Sequence, residues 1–207
     1  MKADLALNHV VSSLREGAQL RSKIADECGE AIVKAASIIV HCLRSGGKLL
    51  LFGNGGSAAD AQHLAAEFVG RFVRERPGLP AIALTTDTSL LTAVGNDYGF
   101  DQIFARQIEA LGSPNDVAIG ISTSGNSPNV IEGINKAKKQ NVKTVGLAGK
   151  DGGVLARCVD LVITVSSPNT ARVQECHIAI GHILCELVEI ELFQTNSNRT
   201  TVSTKRR

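Results

Sequence analysis

Aromatic residues are scarce in this sequence. Tryptophan is absent, and one tyrosine and six phenylalanines make up 3% of 207 residues. The core must therefore be built mainly from Leu, Ile, Val and Ala. Hydrophobic residues form 43% of the chain and charged residues 20%, as in globular rather than disordered proteins. The length predicts a single domain over residues 1–195, with N-terminal helices in 1–44, followed by a polar, flexible tail at 196–207.

Basic charge is scarce outside that tail. Four of the 22 basic residues lie in "SNRTTVSTKRR" at the C-terminus, which leaves 18 basic against 20 acidic residues elsewhere. No basic face with interleaved aromatic residues is present, so nucleic-acid binding is not expected. There is no long apolar run, so we predict no signal segment and no association with a membrane. The five cysteines are odd in number and form no CxxC pair, which indicates reduced thiols and a cytoplasmic location.

The apolar periodicity indicates an α/β fold. An apolar stripe from Leu20 to Leu43 predicts a long helix, preceded by a shorter helix around Leu5 to Leu20. Short apolar segments then alternate with helical ones, and the strands are "KLLLF", "PAIAL", "DVAIGIS", "KTVGLAG" and "DLVITV". Helices are predicted at 57–72, 89–94, 102–110, 128–139 and 171–193. This alternation predicts a three-layer sandwich, an approximately five-stranded parallel sheet between layers of helices.

Ligands of open parallel sheets bind beyond the carboxyl ends of the strands, near a switch in strand order. The loops after the first and third predicted strands are therefore the candidate sites. The second loop carries the hydroxyls of Ser122, Thr123, Ser124 and Ser127, and Pro128 then begins a helix. Hydroxyls beside a helix N-terminus suit a phosphate group, and no Lys or Arg lies in the loop. An ordinary capped turn would use the same residue types and is the alternative interpretation.

The first loop, "GNGGSA", matches the dinucleotide fingerprint G-x-G-x-x-A at Gly53, Gly55 and Ala58. That fingerprint needs an acidic residue about 20 positions further on. The nearest candidate, Asp87, lies 34 residues after Gly53, so a nucleotide-dependent oxidoreductase is disfavoured. We interpret the small residues as clearance for a ligand held against the backbone, contacted by Asn54 and Ser57.

Two helices carry polar groups at helical spacing. His63 and Glu67 are i,i+4 neighbours, a spacing that usually marks a surface ion pair. His182 interrupts an apolar stretch of the last helix, two turns after Gln174, and a histidine there is usually a core residue. Together with two phosphate-type loops, these residues indicate a functional site.

Five segments carry a resemblance to a known family: "FGNGGSAADAQHLAAEFVGRF", "AVGNDYGFDQIFARQ", "GISTSGNSPNVI", "LAGKDGG" and "RVQECHIAIGHILCELVE". They resemble the phosphoheptose isomerases (sedoheptulose 7-phosphate isomerases), which have the sugar-isomerase (SIS) fold. The resemblance runs colinearly from about Ile32 to Phe193.

This resemblance implies an aldose–ketose isomerase that converts sedoheptulose 7-phosphate to D-glycero-D-manno-heptose 7-phosphate through an enediol, the first step towards nucleotide-heptose precursors. Glu67 would be the base and His182 its acid/base partner. One Zn²⁺ per subunit and a homotetramer with active sites between subunits are also implied. The implied zinc ligands are His63, Glu67, Gln174 and His182. The implied substrate contacts, with Ser57 added from the loop argument, are Asn54, Gly55, Gly56, Ser57, Glu67, Asn96, Asp97, Ser122, Thr123, Ser124, Ser127 and Gln174.

Two features of the implied site stay open. Some family members have Asp immediately before the Arg of the "RVQE" segment, where this chain has Ala171. Gln174 and His182 are eight residues apart, about 12 Å along a straight helix. Long side chains, an irregular helix or ligands from different subunits could each bring them to one ion.

Other functions remain possible from the sequence alone. A non-catalytic SIS protein could bind a sugar phosphate or a replication-initiator-type partner, but such a relative lacks the acidic residue corresponding to Glu67. An isomerase or sensor for a hexose phosphate would differ only near Asn96 and Asp97.

Overall fold

The structure is a computed structural model and describes residues 3–193. The tail predicted at 196–207 lies outside the described residues. Helix α1 runs without interruption from Ala3 to Arg44, over 42 residues. The prediction of two helices in this region was therefore wrong. The last helix, α7 (Thr170–Phe193), packs against α1 at Gly17, where a Cβ atom would lie 3.1 Å from the Glu175 carboxylate. Arg172 also donates a hydrogen bond of 2.7 Å to the Ser13 carbonyl, which ties α1 to the same helix.

The five strands form one parallel sheet in the order β2-β1-β3-β4-β5. The central strands β1 and β3 are buried along their whole length, which explains their continuous apolar runs. The strands are β1 (Leu49–Gly53), β2 (Ala81–Ala83), β3 (Val117–Ser122), β4 (Lys143–Gly149) and β5 (Leu161–Val165).

Helices cover both faces of the sheet, which confirms the predicted three-layer α/β fold. Leu49 and Leu51 of β1 belong to a core that includes residues of α1, α2 and α7. Leu50 and Phe52 point to the opposite core, which includes residues of α4 and α5. The helices after α1 are α2 (Gly56–Val69), α3 (Thr88–Tyr98), a 3₁₀ turn (Phe100–Gln102), α4 (Ile103–Leu111), α5 (Pro128–Lys139), α6 (Leu155–Cys158) and α7 (Thr170–Phe193).

The five cysteines lie within the described residues and are free thiols, and all but Cys158 are buried. They behave as small core residues. Burial raises the pKa of Cys185 to about 12 and that of Cys42 to about 11, so both thiols stay protonated. No helix between residues 3 and 193 combines the length and the hydropathy that crossing a membrane would require.

Candidate functional site

The loops after β1 and β3 meet where the strand order reverses. β1 pairs with β2 on one side and with β3 on the other, so the crevice predicted for ligands opens between these two loops. A reciprocal pair of side-chain hydrogen bonds joins them, from Asn54 to Asn129 at 2.8 Å and from Asn129 to Asn54 at 2.9 Å. Asn129 is 2% exposed, and it was missed in the sequence. Its only local signal is an amide in the first turn of a helix.

The small residues of "GNGGS" serve the protein's own packing as well as clearance for a ligand. Gly55 has φ +56°, a left-handed conformation that favours glycine, and open space surrounds the position of its missing Cβ. Gly56 lies against the Gln174 side chain, and a Cβ there would overlap it. Ser57 is only 3% exposed, so its hydroxyl offers a ligand little access. The loop therefore presents mainly the backbone around Gly55.

The loop after β3 presents a cluster of hydroxyls. Ser122 Oγ lies 2.9 Å from Ser127 Oγ and 3.4 Å from Ser124 Oγ. Ser127 is the N-cap residue of α5, as predicted, but its hydroxyl makes no capping bond. The first N–H groups of α5 thus have no side-chain cap, and hydroxyls lie beside them. This arrangement can receive the oxygens of a phosphate group without a cationic side chain.

A second cluster, the histidine cluster of His63, Glu67 and His182, joins α2 to α7. His63 Nε2 lies 2.9 Å from His182 Nε2 and 3.4 Å from Glu67 Oε1. The helices approach closely here because Gly181 has no Cβ, which leaves room for the Leu64 side chain. The His63 side chain is 49% exposed and that of Glu67 25% exposed, so the cluster is open to solvent in the single chain.

Gln174 does not join the histidine cluster within the chain. Its amide lies against Gly56, whereas His182 contacts His63, seven residues further along α2. Seven residues of helix span about 10 Å. Helix α7 is continuous over this stretch, so an irregular helix does not bring Gln174 and His182 together.

The donors of the histidine cluster suit zinc chemically. Imidazole nitrogens and a carboxylate oxygen are common zinc ligands, at about 2.0–2.2 Å from the ion. In the part of the chain that the structure describes, no group of three or more His, Cys, Asp or Glu side chains already has the placement of a metal site. The 2.9 Å separation of the two rings is instead that of a hydrogen bond. The donor set fits zinc. A small movement of the two rings away from each other would make room for the ion.

Asn96 and Asp97 lie in the last turn of α3, where both are exposed and the Asn96 amide donates to Asp97 Oδ1 at 2.8 Å. Helix α3 has no buried residue. A cavity of about 160 Å³ separates it from the first loop. This cavity is lined by Gly53, Asn54, Gly55, Ala58, Thr85, Leu91, Phe100, Ile103 and Phe104. Asn96 and Asp97 therefore lie on the protein surface, on a helix that an apolar cavity separates from the first loop.

Two titratable groups near the histidine cluster were missed in the sequence. Asp60 lies one turn before His63, and burial raises its pKa to about 6 although His63 acts in the opposite direction. His177 is fully buried, its Nε2 lies 3.1 Å from the Ala148 carbonyl, and burial lowers its pKa to about 4. His177 is thus the neutral core histidine that one expects of an apolar helix, whereas His182 is not.

The chain matches known proteins along most of its length. The model of the SIS domain family matches residues 14–149. The phosphoheptose isomerase of Aquifex aeolicus is 56% identical over 183 residues, which cover 88% of this chain and 96% of the relative. That of Geobacter sulfurreducens is 54% identical over 187 residues, which cover 90% of this chain and 99% of the relative.

Solved structures agree with these matches. Phosphoheptose isomerase GmhA from Neisseria gonorrhoeae superposes with a TM-score of 0.85 at 44% identity, over 89% of this chain and 98% of that one. A phosphoheptose isomerase from Francisella tularensis gives 0.86 at 41% identity, over 88% and 97%. The chain therefore belongs to the SIS-domain family and, within it, to the phosphoheptose isomerases, which are sugar-phosphate isomerases.

Proposed function

We propose that this enzyme interconverts sedoheptulose 7-phosphate and D-glycero-D-manno-heptose 7-phosphate, with Glu67 and His182 as its acid/base pair. The observation that carries the proposal is the meeting of His63, Glu67 and His182 at one place between α2 and α7. A carboxylate and an imidazole that both contact His63 are the kinds of group that proton transfer between neighbouring carbons requires.

The reaction moves one proton between two carbons. Glu67 takes the proton from C1 of the ketose, and the electron pair left behind forms the C1–C2 double bond of the enediol. His182 gives a proton to the C2 oxygen and takes one from the C1 oxygen. Glu67 then returns its proton to C2, which leaves an aldehyde at C1. Atoms and electrons balance without an oxidant or a second substrate.

The spacing of the two polar regions suits a long substrate. His63 lies two turns, about 10 Å, along α2 from the N-terminus that faces the crevice. In a heptose 7-phosphate, the phosphate and the reacting carbons are at opposite ends of the carbon chain. The hydroxyl loop of Ser122, Thr123, Ser124 and Ser127 would hold the phosphate, and Asn54, Gly55 and Gly56 the sugar next to it. Asn96 and Asp97 would reach the substrate from α3.

We also propose one zinc ion per subunit, held by His63, Glu67, Gln174 and His182. When bound, zinc polarises the carbonyl and hydroxyl oxygens between which the protons move. Glu67 must keep one carboxylate oxygen free to accept the proton. Because Gln174 lies about two helical turns from His182, we infer that it acts from another subunit or moves on binding.

A homotetramer with active sites at subunit interfaces is part of this proposal. The first third of α1 exposes Leu5, Leu7, Val10 and Leu14 by 62%, 62%, 52% and 68%. Leu7, Val10 and Leu14 lie on one side of the helix, and such an apolar stripe suits burial against another copy of the chain. The exposure of the histidine cluster in the single chain is consistent with a site that a neighbouring subunit completes.

The test is an assay of purified protein with sedoheptulose 7-phosphate, in which an aldoheptose phosphate is followed by NMR. Reactions with added zinc are compared with chelator-treated protein. We expect turnover that the chelator abolishes and zinc restores, and a tetramer by light scattering. Turnover that survives complete removal of metal would exclude the zinc proposal alone. No turnover of sedoheptulose 7-phosphate, together with binding of a sugar phosphate, would favour the non-catalytic alternative.

A further inference from the structure

The segment between α2 and β2 is held by one buried ion pair. Arg76 Nε lies 2.8 Å from Glu189 Oε1, and the two side chains are 1% and 2% exposed. Glu189 also accepts the backbone N–H groups of Phe72, Val73 and Arg74 at 2.9, 3.0 and 2.9 Å. Each carboxylate oxygen therefore has two donors, and burial is outweighed by these bonds, which lower the pKa of Glu189. The pair is fully satisfied and ionised.

The other side of the Arg76 guanidinium binds the C-terminal end of α2. It donates to the carbonyl of Glu67 at 2.9 Å and to that of Phe68 at 2.8 Å. Carbonyls in the last turn of a helix have no partner within the helix, and Arg76 supplies one to Glu67. The Phe68 carbonyl also accepts the Leu79 N–H at 3.0 Å. Glu67 is the residue that we assign as the base.

Glu189 is on the same helix as the proposed acid/base partner. It lies seven residues after His182 on α7, two turns further along nearly the same side of the helix. The segment that it holds also places the Phe72 ring 5.4 Å from the His182 ring. The Arg76–Glu189 pair thus binds the backbone of Glu67 and holds the segment whose Phe72 ring lies beside His182.

A structural anchor alone does not require these charges. Replacing a buried ion pair by apolar residues of similar volume is often neutral or stabilising. A fully satisfied polar network instead specifies one arrangement of the groups around it. We propose that Arg76 and Glu189 are positioning residues that hold Glu67 and His182 at their working separation, an inference that rests on the roles proposed for these two residues.

The central variant removes both charges at once, Arg76→Met with Glu189→Leu, so that no unpaired buried charge remains. We expect a thermal midpoint below that of the wild type, because the N–H groups of Phe72, Val73 and Arg74 lose their acceptor. We also expect KM within about twofold and kcat lower by about tenfold or more, because misplacement by 1 Å can cost a hundredfold. Arg76→Lys keeps the positive charge but loses the planar set of guanidinium donors. Its kcat should lie between those of the wild type and the double variant.

The matched control is a second ion pair at the amino end of the sheet. Lys48 Nζ lies 2.6 Å from Asp116 Oδ2, and none of its hydrogen bonds among the described residues reaches α2 or α7. Lys48→Met with Asp116→Leu should leave both kcat and KM unchanged. An equal loss of kcat in both double variants would mean that charge removal acts through general loosening, and would overturn the proposal.

A measurement without substrate separates this inference from the proposed reaction. The ring signals of His182 in histidine-labelled protein, assigned with His182→Gln, should shift or broaden in the Arg76/Glu189 variant and stay in place in the control. Unchanged His182 signals in Arg76→Lys and in the folded double variant would overturn the positioning role. Inactivity of the wild type on sedoheptulose 7-phosphate would overturn only the reaction.

Discussion

Two clusters of similar composition have opposite surroundings in this molecule. The Asp116 cluster, Asp116 with Lys48 and Ser113, is at the amino end of the sheet. Its carboxylate is 1% exposed and accepts the Lys48 N–H at 2.9 Å, the Ser113 N–H at 2.8 Å and the Lys48 ammonium at 2.6 Å. The Glu67 carboxylate of the histidine cluster is 25% exposed, and its ion-pair contact is His63, at 3.4 Å.

The difference separates groups that stabilise the fold from groups that are available for chemistry. A buried carboxylate whose two oxygens both accept hydrogen bonds contributes to folding and cannot easily accept another proton. A partly exposed carboxylate whose ion-pair contact is one imidazole is stabilised less, which suits the role of base proposed for Glu67. Composition alone does not distinguish the clusters, because each contains a carboxylate and a nitrogen base.

The largest expected effect is on activity, from Glu67→Gln. This change keeps the shape and removes the base, so kcat should fall at least about a hundredfold, the lower limit for a positioned acid–base group. The thermal midpoint should be nearly unchanged. Glu75→Gln, at a side chain that is 92% exposed, is the control for loss of a carboxylate nearby. A kcat near that of the wild type would exclude Glu67 as the base.

The next effect concerns His177, which shares α7 with His182 but is closed off from solvent. Its pKa of about 4 in the folded protein lies below the value of about 6.5 expected when unfolded. Between these pH values the unfolded chain binds a proton that the folded chain does not, so stability falls with falling pH. Between pH 7 and pH 5 the free energy of unfolding of the wild type should fall by about 2 kcal/mol more than that of His177→Gln.

Urea unfolding of the wild type and His177→Gln at both pH values measures this difference. Ile183→Gln, at a side chain of the same helix that does not titrate and is 43% exposed, is the control and should keep the wild-type pH dependence of unfolding. Equal pH dependence in the wild type and His177→Gln would show that His177 is not the buried neutral group inferred here.

A smaller effect is expected at the Asp116 cluster. Burial raises the pKa of Asp116, but the Lys48 ammonium and the backbone donors outweigh it, so the net pKa is lowered. The stabilisation is therefore present above the unfolded pKa and is lost as pH falls through the folded pKa. Asp116→Asn should lower the free energy of unfolding by about 1.5 kcal/mol at pH 7 and by less at pH 3, and it should leave kcat unchanged. A lower kcat would show that the two clusters are coupled.

The smallest effect concerns two serines in loops at opposite ends of β3. Ser124 Oγ accepts the Asn126 N–H at 3.1 Å and lies 3.4 Å from Ser122 Oγ. Removing one neutral phosphate donor by Ser124→Ala should raise KM about fivefold. At Ser113 the backbone N–H and not the hydroxyl binds Asp116, so Ser113→Ala should leave KM unchanged. Steady-state kinetics compare the two variants.

Most of the fold could be predicted because its signals are local. The apolar runs of β1, β3 and β4 identify buried parallel strands, and Ser127 with Pro128 marks the start of α5. The prediction of separate helices before and after Leu20 was wrong, because packing against α7 stabilises one continuous α1. Helix α2 ends at Val69 rather than at residue 72, since Glu189 binds the N–H groups of Phe72, Val73 and Arg74.

The candidate site was less predictable because its parts are distant in sequence. Helical spacing placed Glu67 beside His63, and His182 stood out as a histidine in an apolar stretch, but no local signal placed it beside His63, which is 119 residues away. Nothing local indicates that Arg76 pairs with a residue 113 positions away, or Asn54 with one 75 positions away. Such pairs depend on how helices and loops pack after the sheet has formed.

The amide pair of Asn54 and Asn129 has a consequence for how the enzyme responds to its medium. Both partners are uncharged and neither titrates in water, so the link between the loops is insensitive to acidity and ionic strength. Binding of a phosphate dianion is sensitive to both. Any dependence of catalysis on buffer composition should thus originate in the ligand and in titratable side chains such as Asp60, and not in this link between the loops.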